Sequence, residues 1–186
     1  MEKSTSSSLS NIENDRTFDS ILNLTTNRVR GLLENFVNIS DVQTDLSSVF
    51  GSNLEIQQFS QSWKTGEFAF PEIEVVQSSQ IGNANGAFAK ETNKIYLSQE
   101  LLTTNAGNID TIASVFLEEY GHYVDSELNT IDTPGDEGAL FASLIQNQEL
   151  SDRELEQLMG EDDTATVILD GKKIEIEQSF TELVNG

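Results

Sequence analysis

The chain has 186 residues, of which ten are basic and 32 are acidic, so its formal net charge at pH 7 is −22. This charge repels phosphate backbones and anionic lipid surfaces, and it argues against nucleic acids and membranes as partners. No cysteine is present, which excludes disulfide bonds and thiolate metal sites but leaves divalent cations and basic proteins as ligands.

The N-terminal part of the chain is polar before it becomes helical. Its first ten residues are rich in serine and contain no apolar core, so no cleaved signal peptide is expected. We predict a flexible tail over residues 1–16, a single domain over residues 17–180 and a C-terminal tail over residues 181–186. The absence of a run of 18 apolar residues predicts no membrane insertion. The composition leaves open whether the protein is cytoplasmic or is secreted without a cleaved signal peptide.

Periodicity and turn chemistry predict an α+β fold with a small and mostly antiparallel sheet. The N-terminal third of the chain has the pattern of helices, and the middle has short strands, two of which form a hairpin. A long helix, two shorter helices and a C-terminal hairpin that turns at Asp170 and Gly171 complete the domain. The predicted helices cover residues 18–36, 41–50, 54–63, 108–128, 136–146 and 151–159, and the predicted strands cover residues 73–76, 87–89, 94–97, 165–169 and 172–178. Residues 54–63 fit a helix or a strand, and we favour the helix because loop residues follow at Gly66 and Pro71.

The long helix carries the residues that point to chemistry. On a helical wheel, Glu118 and His122 lie on one polar stripe, and their i, i+4 spacing lets both side chains converge on one point. His122 is the only histidine in the chain. An ordinary surface helix also has a polar stripe opposite an apolar one, and a lone histidine on that stripe is usually solvated. The spacing alone therefore leaves a functional site and a solvated helix face as alternatives.

The order of residues on this helix matches part of a metallopeptidase motif. Zinc peptidases carry H-E-x-x-H, and this chain has E-E-x-x-H, with Glu119 at the position of the general base and His122 at the second ligand. Glu118 replaces the first histidine, and a carboxylate can still bind zinc. Glu137 is the candidate third ligand, although acidic residues also favour a helix N-terminus. Three roles are open for Asp125. It is either an additional ligand or a partner that orients the imidazole. The third role, a solvated surface acid, is the interpretation we favour.

The middle of the chain resembles the zincin fold. Residues 85–97, followed by the helix with residues 118–122, are similar to the edge strand and the active-site helix of that fold. The resemblance implies a zincin-like domain with a peptidase ancestry. It also implies that Ala87, Phe88 and Ala89 form the edge strand along which a peptide substrate would align by β-addition.

A closer resemblance links the chain to the N-terminal domains of cyanobacterial calcium-binding, haemolysin-type repeat proteins. Those domains carry a similar E-E-x-G-H-x-x-D helix, a P-G-D-E-G segment and an acidic strand–turn–strand end. The corresponding segments here are E-E-Y-G-H-Y-V-D at residues 118–125, P-G-D-E-G at residues 134–138 and E-D-D-T at residues 161–164, before the final hairpin.

Two functions of different classes fit this pattern. In a metallopeptidase-like protein, Glu118, His122 and Glu137 would hold one divalent metal ion. Glu119 would then act as the general base in the hydrolysis of peptide bonds. Zinc is the expected ion, but two carboxylates beside one imidazole make a harder site, for which manganese or calcium also compete. The alternative is a catalytically inactive zincin-like module with a binding or structural role in a secreted calcium-binding-type protein.

A third function, an acidic antagonist of a basic protein, rests on the net charge of −22 alone. No feature of the sequence indicates whether the protein is a monomer or an oligomer.

Overall fold

The structure is a computed structural model that describes the backbone of residues 5–52, 55–130 and 135–180, with side chains from residue 17 onward. Helices and strands occur together in these ranges, as the α+β prediction requires. A 3₁₀ turn at Ser78–Ile81 lies between the first two strands. The helices are α1 (Thr5–Ile39), α2 (Val42–Phe50), α3 (Glu55–Lys64), α4 (Gln99–Thr104), α5 (Ile109–Leu128), α6 (Glu137–Ile145) and α7 (Asp152–Leu158), and the strands are β1 (Glu72–Val76), β2 (Gly86–Ala89), β3 (Lys94–Ser98), β4 (Thr164–Leu169) and β5 (Lys172–Ser179).

Helix α1 begins earlier than the sequence pattern predicts. Its backbone is helical from Thr5, within the segment for which we predicted a tail, because a helix extends at little cost once a packed apolar face has nucleated it. Val29 and Leu33 on that face are buried against the core. The first four residues and the predicted C-terminal tail lie outside the described residues. None of the described helices has both the length and the apolar character needed to cross a bilayer.

The five strands form one mixed sheet in the order β1-β3-β2-β5-β4. In this sheet β1 and β3 run parallel and the other neighbours run antiparallel, so the predicted mostly antiparallel sheet is confirmed. Strand β5 pairs with β2 through Ala87 opposite Gln178 and Phe88 opposite Glu177. The prediction of an edge strand at Ala87, Phe88 and Ala89 is therefore wrong, because β3 and β5 occupy both sides of β2 and leave no edge for a peptide.

Alternating side chains of the central strands face two separate apolar clusters, because successive residues of a strand point to opposite faces. Phe88 and Ile95 pack with the helices in a cluster that includes Tyr120 of α5. Tyr96 faces the other way and belongs to the cluster that Ile174 of the C-terminal hairpin helps to form. Helix α5 therefore lies on one face of the sheet, beside the strand pair β2 and β5.

Helices α5 and α6 approach each other through two glycines. A Cβ atom added to Gly121 would lie 2.8 Å from Cα of Gly138, closer than real Cβ contacts allow. A Cβ added to Gly138 would lie 2.4 Å from Nε2 of His122. The missing side chains thus let the N-terminal end of α6 lie directly against His122.

Substitution of Gly121 by alanine is expected to lower the free energy of unfolding by about 1–3 kcal/mol, because the new methyl group overpacks a backbone contact. Gly31→Ala is the matched control, since Gly31 is also helical but has no atom within 4 Å of an added Cβ. That change is expected to stabilise the protein by up to about 1 kcal/mol through helix propensity. Urea unfolding of both variants measures the difference, and equal effects of the two substitutions would contradict the close packing.

Candidate metal centre

The polar stripe of helix α5 is covered by protein. The His122 side chain is 0% exposed, and Glu119 and Asp125 are also buried. Helix α6 and strand β5 pack over this side of α5. His122 is therefore not a solvated surface residue, and the interpretation of Asp125 as a solvated acid is wrong.

Four carboxylates from separate parts of the chain surround the His122 ring. On the Nδ1 side, Oε2 of Glu177 lies 3.1 Å and Oε1 of Glu137 lies 3.6 Å from the nitrogen. On the Nε2 side, Oδ2 of Asp163 lies at 3.2 Å and Oδ1 of Asp136 lies at 3.9 Å. Asp136 and Glu137 come from the start of α6, whereas Asp163 precedes β4 and Glu177 lies on β5. The cluster exists only where α5, α6 and the C-terminal hairpin meet.

This arrangement fits a divalent metal ion. The described residues contain two groups with ligand atoms within 4.8 Å of one another, and the groups share His122. Two atoms that bind one tetrahedral ion at about 2.1 Å lie roughly 3.4 Å apart, which is within the observed range of separations. Neither ring nitrogen has a hydrogen-bond partner of acceptable geometry among the described residues, although buried polar atoms normally have one. One group consists of His122, Glu137 and Glu177, and the other of His122, Asp136 and Asp163.

The cluster holds protons more tightly than isolated side chains do. Burial raises the pKa of Glu118 and that of Glu137 to about 7, and it raises the pKa of Asp163 to about 6. Burial alone would lower the pKa of His122, but the carboxylates of Glu137 and Glu177 outweigh it and raise that pKa well above its ordinary value. Protons thus reduce the repulsion among the acids, and a divalent cation would serve the same purpose.

Glu119, the predicted general base, is buried between α5 and strand β2. The hydroxyl of Ser179 donates a hydrogen bond to its Oε1, and a Cβ on Gly86 would lie 2.6 Å from the same oxygen. Its Oε2 has no hydrogen-bond partner within the described part of the chain. Burial raises the pKa of Glu119 well above its ordinary range, so the side chain needs a nearby cation before it can act as a base at neutral pH.

The structure brings His122 and Glu137 together and leaves two other candidate ligands at the border of the cluster. Glu118 and Asp125 belong to neither ligand group. Oδ1 of Asp125 accepts a hydrogen bond of 2.6 Å from Nδ2 of Asn129, the C-cap residue of α5. Asp125 thus ties down the end of the helix that carries His122.

Three carboxylates of the cluster were not predicted as site residues. Asp136 has the role expected of an acid at a helix start, because its Oδ1 accepts the N–H of Ala139 at 2.7 Å, yet it also faces His122. The alternation along β5 separates Glu177 from the isoleucines of that strand and could have suggested its direction. Asp163 carries no comparable signal, since its position depends on how the hairpin docks.

The architecture is an α+β domain with a five-stranded mixed sheet and a buried acidic centre around one histidine. The zincin-like assignment stays a prediction, and a shared fold would not by itself imply a function. Comparison of the chain with protein-family models, with curated proteins and with solved structures gave no match.

Proposed function

We propose that this domain binds one divalent metal ion at His122, and that the ion fastens the C-terminal hairpin to helices α5 and α6. The observation that carries the proposal is the completely buried His122 ring, whose two nitrogens face carboxylates but have no hydrogen-bond partner among the described residues. Glu137 and Glu177 would join His122 as ligands, because the three side chains form one of the two ligand groups. The protein would then be a binding or structural module held together by its metal.

The closure of the site supports this role. A catalytic metal ion needs a coordination position that water and substrate can reach from solvent. The side chains of the four surrounding carboxylates are between 3% and 19% exposed. Strand β5 also pairs with β2, the strand along which a peptide substrate was expected to align.

The donor atoms favour a hard ion. The carboxylate oxygens suit manganese and calcium, the imidazole nitrogen suits zinc, and no thiolate is present to select a softer ion. The positive charge would also offset the repulsion among the buried acids. We therefore propose zinc, manganese or calcium as the physiological ion.

Addition of the ion to chelator-treated protein is expected to raise the melting temperature. An ion at 100 times its dissociation constant stabilises the native state by about 2.7 kcal/mol. For a domain of this size that corresponds to roughly 5–10 °C. Scanning calorimetry with zinc, manganese and calcium in turn would identify the ion.

Two glutamine substitutions on β5 provide the matched control. Glu177→Gln removes a proposed ligand and is expected to lose most of the metal-dependent shift in melting temperature. Glu175→Gln makes the same chemical change two residues away, at an exposed position, and should keep the full shift. Identical melting temperatures of the wild-type protein with and without each ion would contradict the proposal.

Hydrolysis of peptide bonds is the second candidate function, and the position of Glu119 favours it. Its carboxyl group lies close enough to His122 for their charges to interact, and its Oε2 lacks a hydrogen-bond partner in the described chain. A bound metal ion would supply Lewis-acid chemistry, and Glu119 would accept a proton. The substrate would be a peptide or an unfolded protein segment.

If the domain is a peptidase, Glu119→Gln is expected to lower turnover of an unfolded protein substrate by roughly 10²–10⁴-fold, because the amide cannot act as a base. The metal-dependent shift in melting temperature should remain, since Glu119 is not a proposed ligand. Absence of turnover above background in the metal-loaded wild-type protein would leave the closed module as the function.

A further inference from the structure

Only one nitrogen of a neutral imidazole can bind a metal ion, because the other carries a proton. His122 nevertheless has carboxylates on both sides, with Glu137 and Glu177 at Nδ1 and with Asp136 and Asp163 at Nε2. When an ion occupies one side, the carboxylates on the other side face an N–H group. The two pairs must therefore have different roles.

The Nε2 side is already engaged with the protein backbone. Oδ1 of Asp136, its oxygen closest to Nε2, accepts the N–H of Ala139 as the N-cap of α6. Gly138 packs against the same edge of the ring, since an added Cβ would lie 2.4 Å from Nε2 and 2.7 Å from Cδ2. Oδ2 of Asp163 lies 3.2 Å from Nε2, at the outer end of hydrogen-bond distances, and is the carboxylate oxygen nearest to a proton on that nitrogen. This side suits a proton better than an ion.

Both carboxylates on the Nδ1 side have a buried oxygen without a hydrogen-bond partner among the described residues, whereas on the Nε2 side this is true of Asp163 but not of the oxygen of Asp136 that caps α6. Oε2 of Glu137 and Oε2 of Glu177 both lack a hydrogen-bond partner among the described residues. Oε2 of Glu177 and the other carboxylate oxygen of Glu137, Oε1, lie 3.1 and 3.6 Å from Nδ1, on either side of the spacing of roughly 3.4 Å expected for two ligands of one ion. Glu177 is also the most exposed of the four carboxylates, at 19%, and gives an ion a route to the ring.

We propose that the ion binds Nδ1 of His122 together with Glu137 and Glu177, and that Asp163, supported by Asp136, is a positioning residue that holds the proton on Nε2. The inference rests on the proposed metal binding and adds the orientation of the histidine to it. A carboxylate that accepts a hydrogen bond from a ligating imidazole fixes its tautomer and raises its basicity. Metal affinity should therefore depend on Asp163 although Asp163 does not touch the ion.

The tautomer can be measured directly because His122 is the only histidine in the chain. Long-range ¹H–¹⁵N NMR of protein labelled with ¹⁵N-histidine distinguishes the two ring nitrogens, and zinc is a diamagnetic probe. On titration with zinc, we expect Nε2 to keep the chemical shift of a protonated nitrogen and Nδ1 to show the metal-dependent change. The reverse assignment would overturn the inference while leaving metal binding intact. Unchanged shifts at both nitrogens would contradict the proposed metal binding itself.

Substitutions of Asp163 and Glu177 distinguish a residue that positions the imidazole from a residue that binds the metal ion. Asp163→Ala removes the hydrogen-bond acceptor and is expected to weaken zinc binding about 10–100-fold. Asp163→Asn keeps an oxygen that can accept the Nε2 proton and should restore most of the affinity. Glu177→Gln should weaken binding more than Asp163→Ala does, and Glu175→Gln should leave it unchanged.

Equal losses of affinity in the Asp163→Asn and Asp163→Ala variants would overturn the assignment, because an amide does not replace a ligating carboxylate. Wild-type affinity in Glu177→Gln would overturn it as well. If Asp163→Ala does not fold, the Asp163→Asn variant and the NMR titration still decide between the two nitrogens.

Discussion

Replacement of His122 by alanine is expected to abolish metal binding and to lower the free energy of unfolding by about 3–5 kcal/mol at neutral pH. The side chain is 0% exposed, and its removal leaves buried carboxylates facing one another without the group that separates them. Glu137 and Glu177 on one side, and Asp163 on the other, would then have to take up protons or move apart. Denaturant unfolding in the presence of a chelator measures this loss separately from the loss of metal binding.

The matched control for this variant is Glu127→Ala, an exposed position on the same helix. Substitutions at such positions usually change stability by no more than about 0.5 kcal/mol. The loss caused by His122→Ala should become smaller in acid, where the carboxylates around the cavity are protonated. A change of about 0.5 kcal/mol or less for His122→Ala at neutral pH would mean that the ring does not hold the cluster together.

The stability of the metal-free protein is expected to fall as the pH rises from 5 to 8. The pKa of Glu118 and that of Glu137 are raised from 4.5 to about 7, and the pKa of Asp163 is raised from 3.8 to about 6. Groups with a raised pKa bind protons more tightly in the folded than in the unfolded chain. Their contribution is therefore complete below the unfolded pKa values and is lost as the pH passes through the folded ones. One unit of difference for a single group corresponds to about 1.4 kcal/mol, and the contributions of these three groups do not simply add, because they interact with one another.

The stabilisation that a bound metal ion provides is expected to increase as the pH rises from 5 to 8. An ion competes with protons for the same carboxylates, so its affinity and its stabilising effect grow as those protons leave. Melting temperatures measured from pH 5 to pH 8, with chelator and with excess ion, should therefore diverge toward high pH. Parallel curves would show that the ion and the titrating acids do not share a site.

Local signals in the sequence predicted most of the elements but not how the sheet is assembled. The hairpin turn at Asp170 and Gly171 was predicted because an Asp-Gly pair adopts the positive φ angles that such turns require, and both residues have them. The position of β2 in the middle of the sheet was missed, because its pairing with β5 joins distant parts of the chain. A short apolar strand looks the same at an edge and in the centre when only its own residues are considered.

At the site, too, local signals predicted some residues and missed those that depend on tertiary contacts. Helical spacing placed Glu118, Glu119 and His122 on one helix, and the start of the next helix supplied Glu137. The acids of the hairpin, and the fact that they converge on His122, follow from tertiary docking and leave no periodic trace. The sequence also favoured a solvated Asp125, because amphipathic patterning does not distinguish a helix face in water from one in a buried polar cluster.

The pairing of β5 with β2 has a consequence for how the chain reaches this fold. Nε2 of Gln178 donates a hydrogen bond of 2.6 Å to the carbonyl oxygen of Ile81, across 97 positions in the chain. Contacts between such distant segments slow folding, because a long loop must close before they form. Until residues 172–179 have been synthesised, β2 presents an apolar edge that can pair with another chain. A nascent chain at this stage is therefore the form of the protein most prone to aggregate, and the docking of β5 ends that period.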